Sequence, residues 1–335
     1  MKDCYVIAEA GLNHNGSLET AKSLIDLASI AGANAVKFQK RTVEKLAIKS
    51  VLDAEDKRFP EFGSTYREIR EYLEFNFEQY KILKSYSESK GLDFMVTAFD
   101  EEALDFLDSL GVENIKLASH SLTNIKLLTY VSKKRKNIFL STGMSDMEEI
   151  DLAVSILNNN KSKLNILHCV SAYPTPPEHC NLEMINILKK RYTLPTGYSG
   201  HELGYLPSLF AVLMGAEIIE RHFTLDTKMI GFDHKISLGP DQLIAMIENI
   251  RSIPSIVGDG TKEILVNEKI TRDKYHVSIV SANYIPKDTI ITDQMIVYKN
   301  PGTGIPAKLS SKVIGKKTLT NIPSDTLISF DMISK

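Results

Sequence analysis

From Tyr5 to about residue 255, short apolar runs rich in β-type residues alternate with amphipathic stretches of helical spacing, and the alternation repeats eight times. This rhythm constrains the fold more than any other feature, because strand–helix repeats bury their apolar faces as a parallel sheet covered by helices. Strands are expected at Tyr5–Gly11, Ala35–Gln39, Asp93–Phe99, Asn114–Ser119, Asn137–Gly143, Leu164–Ser171, Thr196–His201 and Glu217–Thr224. Between them, Ser17–Ala31 sets Leu18, Ala21, Leu24, Ile25 and Ala28 at helical spacing, and Asp146–Leu157 opens with an acidic first turn. Eight repeats point to a closed (β/α)₈ TIM barrel of the α/β class. The competing architecture, an open doubly wound sheet, would favour a GxGxxG after the first strand, and there is none.

The chain has 335 residues, whereas one such barrel takes about 250, so a smaller second domain is expected. The division reads as a barrel over 1–257, a linker over 258–276 announced by GDGTK, and a β-rich module over 277–335 with turn signals at 285–288, 300–304 and 321–325. So small a core is marginal, and the module is expected to pack on the barrel or on a second subunit. Lys40–Phe75 is too long for an ordinary βα connection and reads either as a lid over the site or as a solvated insertion. The 40 basic and 42 acidic residues form no long single-sign block, which argues against a nucleic-acid surface or a membrane-binding face. No apolar run approaches the roughly 20 residues of a membrane-spanning helix, and no secretory pattern precedes the first strand. Cys4, Cys169 and Cys180 show no CxxC spacing and read as free thiols in a reducing compartment. Together these features lead us to expect a cytoplasmic protein with small-molecule partners.

In a barrel of this kind chemistry sits at the C-terminal ends of the strands, and here nearly every strand ends in polar residues. The first offers Glu9, Asn13 and His14, the second Lys37 and Gln39, and the third Thr97. The fourth brings Lys116 and Ser119, the fifth Ser141, and the sixth His168, Ser171 and Tyr173, while the last two bring Ser199, His201, Glu220 and His222. Unpaired polar groups cost roughly 1–3 kcal/mol each in a sealed core, so this set implies a deep polar pocket. Lys37 and Lys116 lie among apolar neighbours inside strands. With Ser119, Ser141 and Ser199 they can cradle an anion, they can pair structurally with Glu9 or Glu220, or one can form a Schiff base with a ketone donor. His201 and His222 end adjacent strands and can converge on a divalent metal, or each can be a hydrogen-bonded structural histidine. Arg221, between two inward residues, is expected to face outward into an ion pair in the helix layer.

AEAGLNHNG at 8–16, VKFQ at 36–39, IKLAS at 115–119, LSTGM at 140–144, HCVSAYPTP at 168–176, GYSGHE at 197–202 and ERHFTLD at 220–226 together resemble the sialic acid synthase family, which includes the legionaminic and pseudaminic acid synthases. The likeness continues through VIGKK at 313–317 into a C-terminal stretch similar to an antifreeze-like (SAF) domain. The resemblance implies a (β/α)₈ barrel that condenses phosphoenolpyruvate with an N-acylated hexosamine such as N-acetylmannosamine, using a divalent metal, commonly Mn²⁺, with Mg²⁺ or Co²⁺ as alternatives. It makes His201 and His222 the expected metal ligands. Lys37, Thr97, Lys116, Ser119, Ser141 and Ser199 match positions that contact phosphoenolpyruvate, Glu9 matches a buried acid near the reacting carbons, and Gln39, Tyr173 and Asp233 match the sugar side. It further implies a domain-swapped homodimer.

Two departures bear on the acceptor. Where the family often has Lys-Arg-Pro-Gly this chain has Lys299, Asn300, Pro301 and Gly302, exchanging a guanidinium fork for a short neutral amide. Where many members place an acidic residue two positions after the serine matched by Ser119, this chain has Ser121. Tyr66 and Arg67 of the insertion are candidates for replacement contacts, and a 2,4-diacetamido-6-deoxyhexose remains an alternative acceptor.

Overall fold

The computed structural model describes residues 3–158 and 162–335, in two compact units, Met1–Val257 and Gly258–Lys335. In the first unit eight parallel strands close into a barrel in sequence order: β1 Tyr5–Gly11, β2 Ala35–Lys40, β3 Asp93–Ala98, β4 Asn114–Leu117, β5 Asn137–Ser141, β6 Lys163–Cys169, β7 Thr196–Gly200 and β8 Ile218–His222. Closure is direct, with Tyr5 to Glu9 of β1 registering against Ile218 to His222 of β8. Several ladders stop short of the expected ends, so that Ser119 opens a 3₁₀ turn and Gly143, Ser171 and His201 lie in loops rather than in strands.

Local sequence explains the helices between the strands. Ser17 accepts the Thr20 amide and starts helix Leu18–Ile30, which turns Ala21, Leu24, Ile25, Leu27 and Ala28 onto the barrel. A capping box of Asp146 and Glu149 starts Met147–Leu157. Asp100 caps Glu101–Ser109 and also accepts the Thr42 amide and hydroxyl, tying the segment after β2 to the end of β3.

The alternation of side chains along each strand sorts the barrel into two environments. Outward residues such as Val6, Ala8, Val36, Phe38, Val96, Ile138, Leu140, Ile166 and Ile219 form the main core beneath the helices. Inward, Ile7, Ala35, Met95, Phe139, Leu167 and Ile218 form a separate apolar plug. Two residues further along these strands, on the same face, come Glu9, Lys37, Thr97, Ser141, Cys169 and Glu220. The barrel thus has a dry floor and a polar chamber directly above it.

The insertion after β2 carries helices Lys49–Leu52 and Tyr66–Leu73, the latter begun by a capping box of Thr65 and Glu68. Leu12, Ile69 and Leu73, with Phe59, Phe62 and Phe232 against them, make a small apolar cluster of their own. In the second unit, antiparallel strands β9 Ser278–Ser281 and β10 Ile296–Lys299 lie over a core of Ile279, Ile291, Ile296, Ile305, Val313, Ile328 and Ile333. Val266–Tyr275, inside the stretch expected as linker, is helical and buries none of its residues.

Candidate active site

A cavity of about 290 Å³ opens above the apolar plug. Glu9, Lys37, Gln39, Thr97, Lys116, Ser119, Ser141, Tyr173, Ser199, His201, His222 and Asp233 all line it. Glu220 and Ser171, strand-end candidates without an assigned role, line it too. Three other strand-end candidates lie outside it. His168 faces the outer layer and bonds through Nε2 to the Cys180 carbonyl, 2.8 Å away. Asn13 donates to the Phe223 carbonyl at 2.8 Å and the Ser237 hydroxyl at 2.9 Å, bracing the segments that follow β1 and β8. His14 stacks on Phe75 with centroids 4.3 Å apart. Asn13 and His14 lie past the end of β1, where strand alternation no longer aims a side chain at the axis, and His168 has the outward parity on β6.

Lys37 reaches Glu9 Oε2 at 2.7 Å and Glu220 Oε1 at 3.6 Å, and donates to the Thr97 hydroxyl at 2.8 Å. Lys116 approaches the same Glu220 oxygen at 3.9 Å and donates to the Leu117 carbonyl at 3.1 Å. The two ammonium groups therefore converge on one carboxylate oxygen, which also accepts the Ser199 hydroxyl at 3.1 Å. The structural pairing is present, and it leaves both lysines facing the cavity.

Burial pushes the Glu9 carboxyl above its ordinary range, with the Glu220 charge adding to it, although Lys37 and Gln39 oppose the rise. Burial also acts on Glu220, but Lys116 and Lys37 outweigh it and hold that carboxyl low. Two acids a few ångströms apart are thus driven in opposite directions, the usual setting for dividing proton carrier from fixed charge. Burial lowers Lys116, whereas in Lys37 the two carboxylates overcome burial and raise it.

The imidazoles of His201 and His222 lie 5.5 Å apart between centroids. His201 Nδ1 faces the Val170 carbonyl at 3.0 Å, and donation there leaves Nε2 with the free lone pair. His222 Nδ1 is buried without a hydrogen-bond partner, with Asp233 Oδ2 3.8 Å away. Burial pulls His222 down to about 4, keeping it neutral near pH 7 as a ligand must be. Burial opposes charge on His201 also, but the Cys169 thiol 3.9 Å from Nδ1 and the Val170 carbonyl raise it overall. Among the described residues no group of three His, Cys, Asp or Glu side chains is placed to hold a metal by itself. An orphaned buried nitrogen beside a second imidazole with a fixed tautomer fits a divalent metal that His201 and His222 would hold.

Backbone supports both ends of the chamber. The β1–β2 register shifts between Glu9 and Gly11, and Gly11 takes a positive φ of 53°; a Cβ there would meet Glu9 Oε1 and Gln39 Nε2, each at 3.2 Å. At Gly143 a Cβ would overlap the Ser171 hydroxyl and come within 2.9 Å of the Ser119 hydroxyl, to which the Gly143 amide donates at 2.9 Å. A small hydroxyl-lined recess remains open only because that residue is glycine. Above it Tyr173, half exposed, lays its ring 4.2 Å from His201.

On the sugar side the insertion reaches the cavity, but not through the residues expected. Arg67 is engaged by Asp53 at 2.7 Å and by Glu44, and like Tyr66 it does not line the cavity. Arg70, on the next turn of the same helix, does line it, as does Arg41 just beyond β2. The helix begins at its capping box and buries Ile69 and Leu73; Arg70, one turn further along it, reaches the cavity, while Arg67 is taken up by Asp53 and Glu44. The TxxE signature at Thr65 and the apolar pair four apart were the sequence signals that locate it. Ser121 is buried outside the cavity while His120 lines it, and Asn300 is exposed in the second unit beside a Lys299–Asp325 pair at 2.5 Å. Arg221 does face outward from β8, where it pairs with Glu202 Oε1 at 2.6 Å, both side chains 1% exposed.

The NeuB family profile matches residues 24–262 and the SAF domain profile residues 276–334. The N,N'-diacetyllegionaminic acid synthase of Legionella pneumophila is 36% identical over 98% of this chain and 94% of its own. The human N-acetylneuraminate-9-phosphate synthase is 35% identical over 98% and 92%. Among solved structures, the N-acetylneuraminic acid synthetase of Leptospira borgpetersenii, crystallised with citrate, superposes with a TM-score of 0.68 at 36% identity, covering 81% of this chain and 90% of its own. Among the described residues no helix is long and apolar enough to cross a membrane.

Proposed function

The chain belongs to the NeuB family, and on that premise we propose that it condenses phosphoenolpyruvate with an N-acylated hexosamine, N-acetylmannosamine or a relative of it, to give a nonulosonate and inorganic phosphate. The observation that carries the reading is the convergence of Lys37 and Lys116 on the single oxygen of Glu220 at 3.6 and 3.9 Å, beside the histidine pair and the glycine-edged recess at Ser119. Two ammonium groups sharing one carboxylate oxygen are ready to receive a polyanion. A bound polyanion would take over the ammonium contacts that Glu220 now holds.

In this reading Lys37 and Lys116 neutralise the phosphate and carboxylate of the donor, and Thr97, Ser119, Ser141 and Ser199 fix it by hydrogen bonds. Gln39, Tyr173 and Asp233 orient the sugar so that its aldehyde carbon faces the methylene carbon of phosphoenolpyruvate. His201 and His222 would hold a divalent cation, Mn²⁺ by preference, whose chemistry is to polarise the aldehyde oxygen as a Lewis acid. As the carbon–carbon bond forms, positive character develops on the phosphate-bearing carbon, and water adds there. Glu9, buried and held by Gln39 and Lys37 at 2.7 Å each, is placed to accept the proton of that water. Phosphate then leaves by carbon–oxygen cleavage, its charge met by the lysines. No covalent attachment to the enzyme is required. The working assembly in this reading is a domain-swapped homodimer, for which light scattering should give twice the 37.5 kDa chain mass.

Phosphate release from phosphoenolpyruvate by metal-stripped protein, with Mn²⁺ restored, tests this with N-acetylmannosamine and with 2,4-diacetamido-6-deoxymannose as acceptors. Release that needs an acceptor and stops on chelation supports the synthase. Absence of release, with borohydride trapping pyruvate on a lysine, would replace it with Schiff-base aldol chemistry, for which the depressed Lys116 is the candidate amine.

A further inference from the structure

The segment between β8 and helix Pro240–Val257 closes on itself at its base, where the Thr224 amide donates to the Leu238 carbonyl at 3.0 Å and the Leu238 amide to the His222 carbonyl at 2.9 Å. Its far end, which carries Asp233 into the cavity, is held by other means. His234, the next residue, does not line the cavity and is 0% exposed. Its Nε2 meets Asn15 Oδ1 at 3.2 Å and its Nδ1 the Thr224 hydroxyl at 2.7 Å. Asn15 donates its own amide to the Ile230 carbonyl at 2.8 Å, which fixes the oxygen as the atom it turns to His234. Nε2 of His234 therefore carries the proton, and Nδ1 accepts from Thr224. Burial, stronger than the pull of Asp233 and Asp226, keeps the ring neutral near pH 7. Gly231 leaves room for the contact: a Cβ there would stand 2.7 Å from the His234 ring and 2.9 Å from Asn15 Oδ1. A second tether runs alongside, from Asn13 Nδ2 to the Ser237 hydroxyl at 2.9 Å and from that hydroxyl to the Asp233 carbonyl at 2.7 Å.

An apolar ring would fill the same space without the cost of burying polar nitrogens. What the satisfied triad of Thr224, His234 and Asn15 adds is direction, because it admits one rotation of the ring and so one course of the backbone at Asp233. That course places Asp233 Oδ2 3.8 Å from His222 Nδ1. The carboxylate thus stands roughly 1 Å short of a hydrogen bond to a buried nitrogen that has no partner of its own.

We propose that His234, pinned by Thr224 and Asn15, is a positioning residue for Asp233, setting its carboxylate beside His222 at a distance that leaves His222 Nδ1 open to a divalent cation. With the triad broken, the carboxylate closes on Nδ1, takes an N–H from it and caps the nitrogen. The use of the open nitrogen rests on the synthase reading above; the place of the carboxylate rests on the geometry alone.

Nitrogen NMR of metal-free protein labelled in its histidines reports the tautomer of each ring, and calorimetry reports Mn²⁺ affinity. His234→Phe removes both bonds and keeps a ring in place, and Thr224→Val removes the hydroxyl and keeps its shape. Each should move His222 to the tautomer protonated at Nδ1 and weaken Mn²⁺ binding roughly 10-fold, while KM for phosphoenolpyruvate stays as in the wild type. In an Asp233→Ala background, where no carboxylate is left to close, neither variant should lower the affinity further. A His222 signal and Mn²⁺ affinity unmoved in Thr224→Val overturn the proposal, as does a wild-type His222 already protonated at Nδ1. An equal loss of affinity with Asp233→Ala overturns it too, since the effect would then come from a loosened fold. Should neither N-acetylmannosamine nor 2,4-diacetamido-6-deoxymannose support phosphate release, the synthase reading fails by itself, and the NMR and calorimetric results still decide what His234 does.

Discussion

Arg221→Met probes the buried pair that underlies both histidines. Arg221 Nη1 donates to Glu202 Oε1 at 2.6 Å and to the Ser208 hydroxyl at 3.0 Å, and Nη2 donates to the Glu202 carbonyl at 2.7 Å. With the guanidinium gone, the Glu202 carboxylate keeps only hydroxyl donors, Tyr198 at 2.9 Å and Ser208 at 3.3 Å, at 1% exposure. Breaking a buried pair from one side costs about 3–5 kcal/mol. For a domain of this size each kcal/mol moves the midpoint by about 2–4 °C, so thermal unfolding followed by circular dichroism should fall by roughly 6–20 °C. Arg221→Met with Glu202→Leu removes both charges, and apolar replacement of a buried pair is often near neutral. The residue of about 1–2 kcal/mol should come from the Glu202 carbonyl and the Ser208 hydroxyl, which lose the partners they have now. The double variant must therefore be more stable than Arg221→Met alone. Glu202 and Arg221 adjoin His201 and His222 in sequence, so the single variant is also expected to weaken Mn²⁺ binding by 10-fold or more in calorimetry. A midpoint within 2 °C of wild type for Arg221→Met, or a double variant as unstable as the sum of the singles, would refute this account of the pair.

Gly143→Ala drives a methyl group into the recess between Ser119 and Ser171; KM for phosphoenolpyruvate should rise at least 10-fold while the unfolding midpoint moves little, and an unchanged KM would show that the recess does not receive the donor. Lys116→Gln removes a charged donor worth about 1.5–3 kcal/mol to the bound polyanion, so kcat/KM should drop roughly 10- to 150-fold. His14 is held down to about 3, chiefly by burial, and its Nδ1 accepts the Gly16 amide at 3.1 Å. An unfolded histidine protonates near 6.5, so between about pH 6.5 and 3 the unfolded chain binds the extra proton and stability falls by about 1.4 kcal/mol per unit as pH drops. His14→Asn, which keeps an acceptor without a titrating ring, should flatten that part of the urea-midpoint profile, and an identical pH slope in the variant would count against it.

The barrel was legible because period-two alternation and helical spacing are local properties, and the chamber because each polar residue stands two places above an apolar one on the same strand face, as with Ile7 and Glu9 or Met95 and Thr97. The reading weakened wherever a residue left a strand. Asn13 and His14 follow the bend at Gly11, and His168 has the other parity on β6, so proximity to a strand end did not aim them inward. Arg41 and Arg70 were missed for a related reason. Arg70 is placed by one short helix and by Phe232, more than 160 residues away in sequence, and Arg41 by Phe99 at the end of another strand, tertiary facts that periodicity does not contain. Choosing Arg67 missed by a single turn along the helix.

The small apolar cluster of Leu12, Ile69 and Leu73 gives the insertion a stability of its own, separate from the barrel core. Segments joined to a protein through so few buried contacts open at lower free energy than the whole. Amide exchange across 49–73 should therefore outpace that of the strands, and warming should disengage this arm before the barrel melts. On the proposed reaction the acceptor side of the cavity, which Arg70 lines, would be lost first, with Lys37 and Lys116 of the strands still in place for the donor. The same modest attachment makes the arm exchangeable: a different loop grafted between β2 and β3 could change which sugar is admitted without disturbing the residues that make the bond.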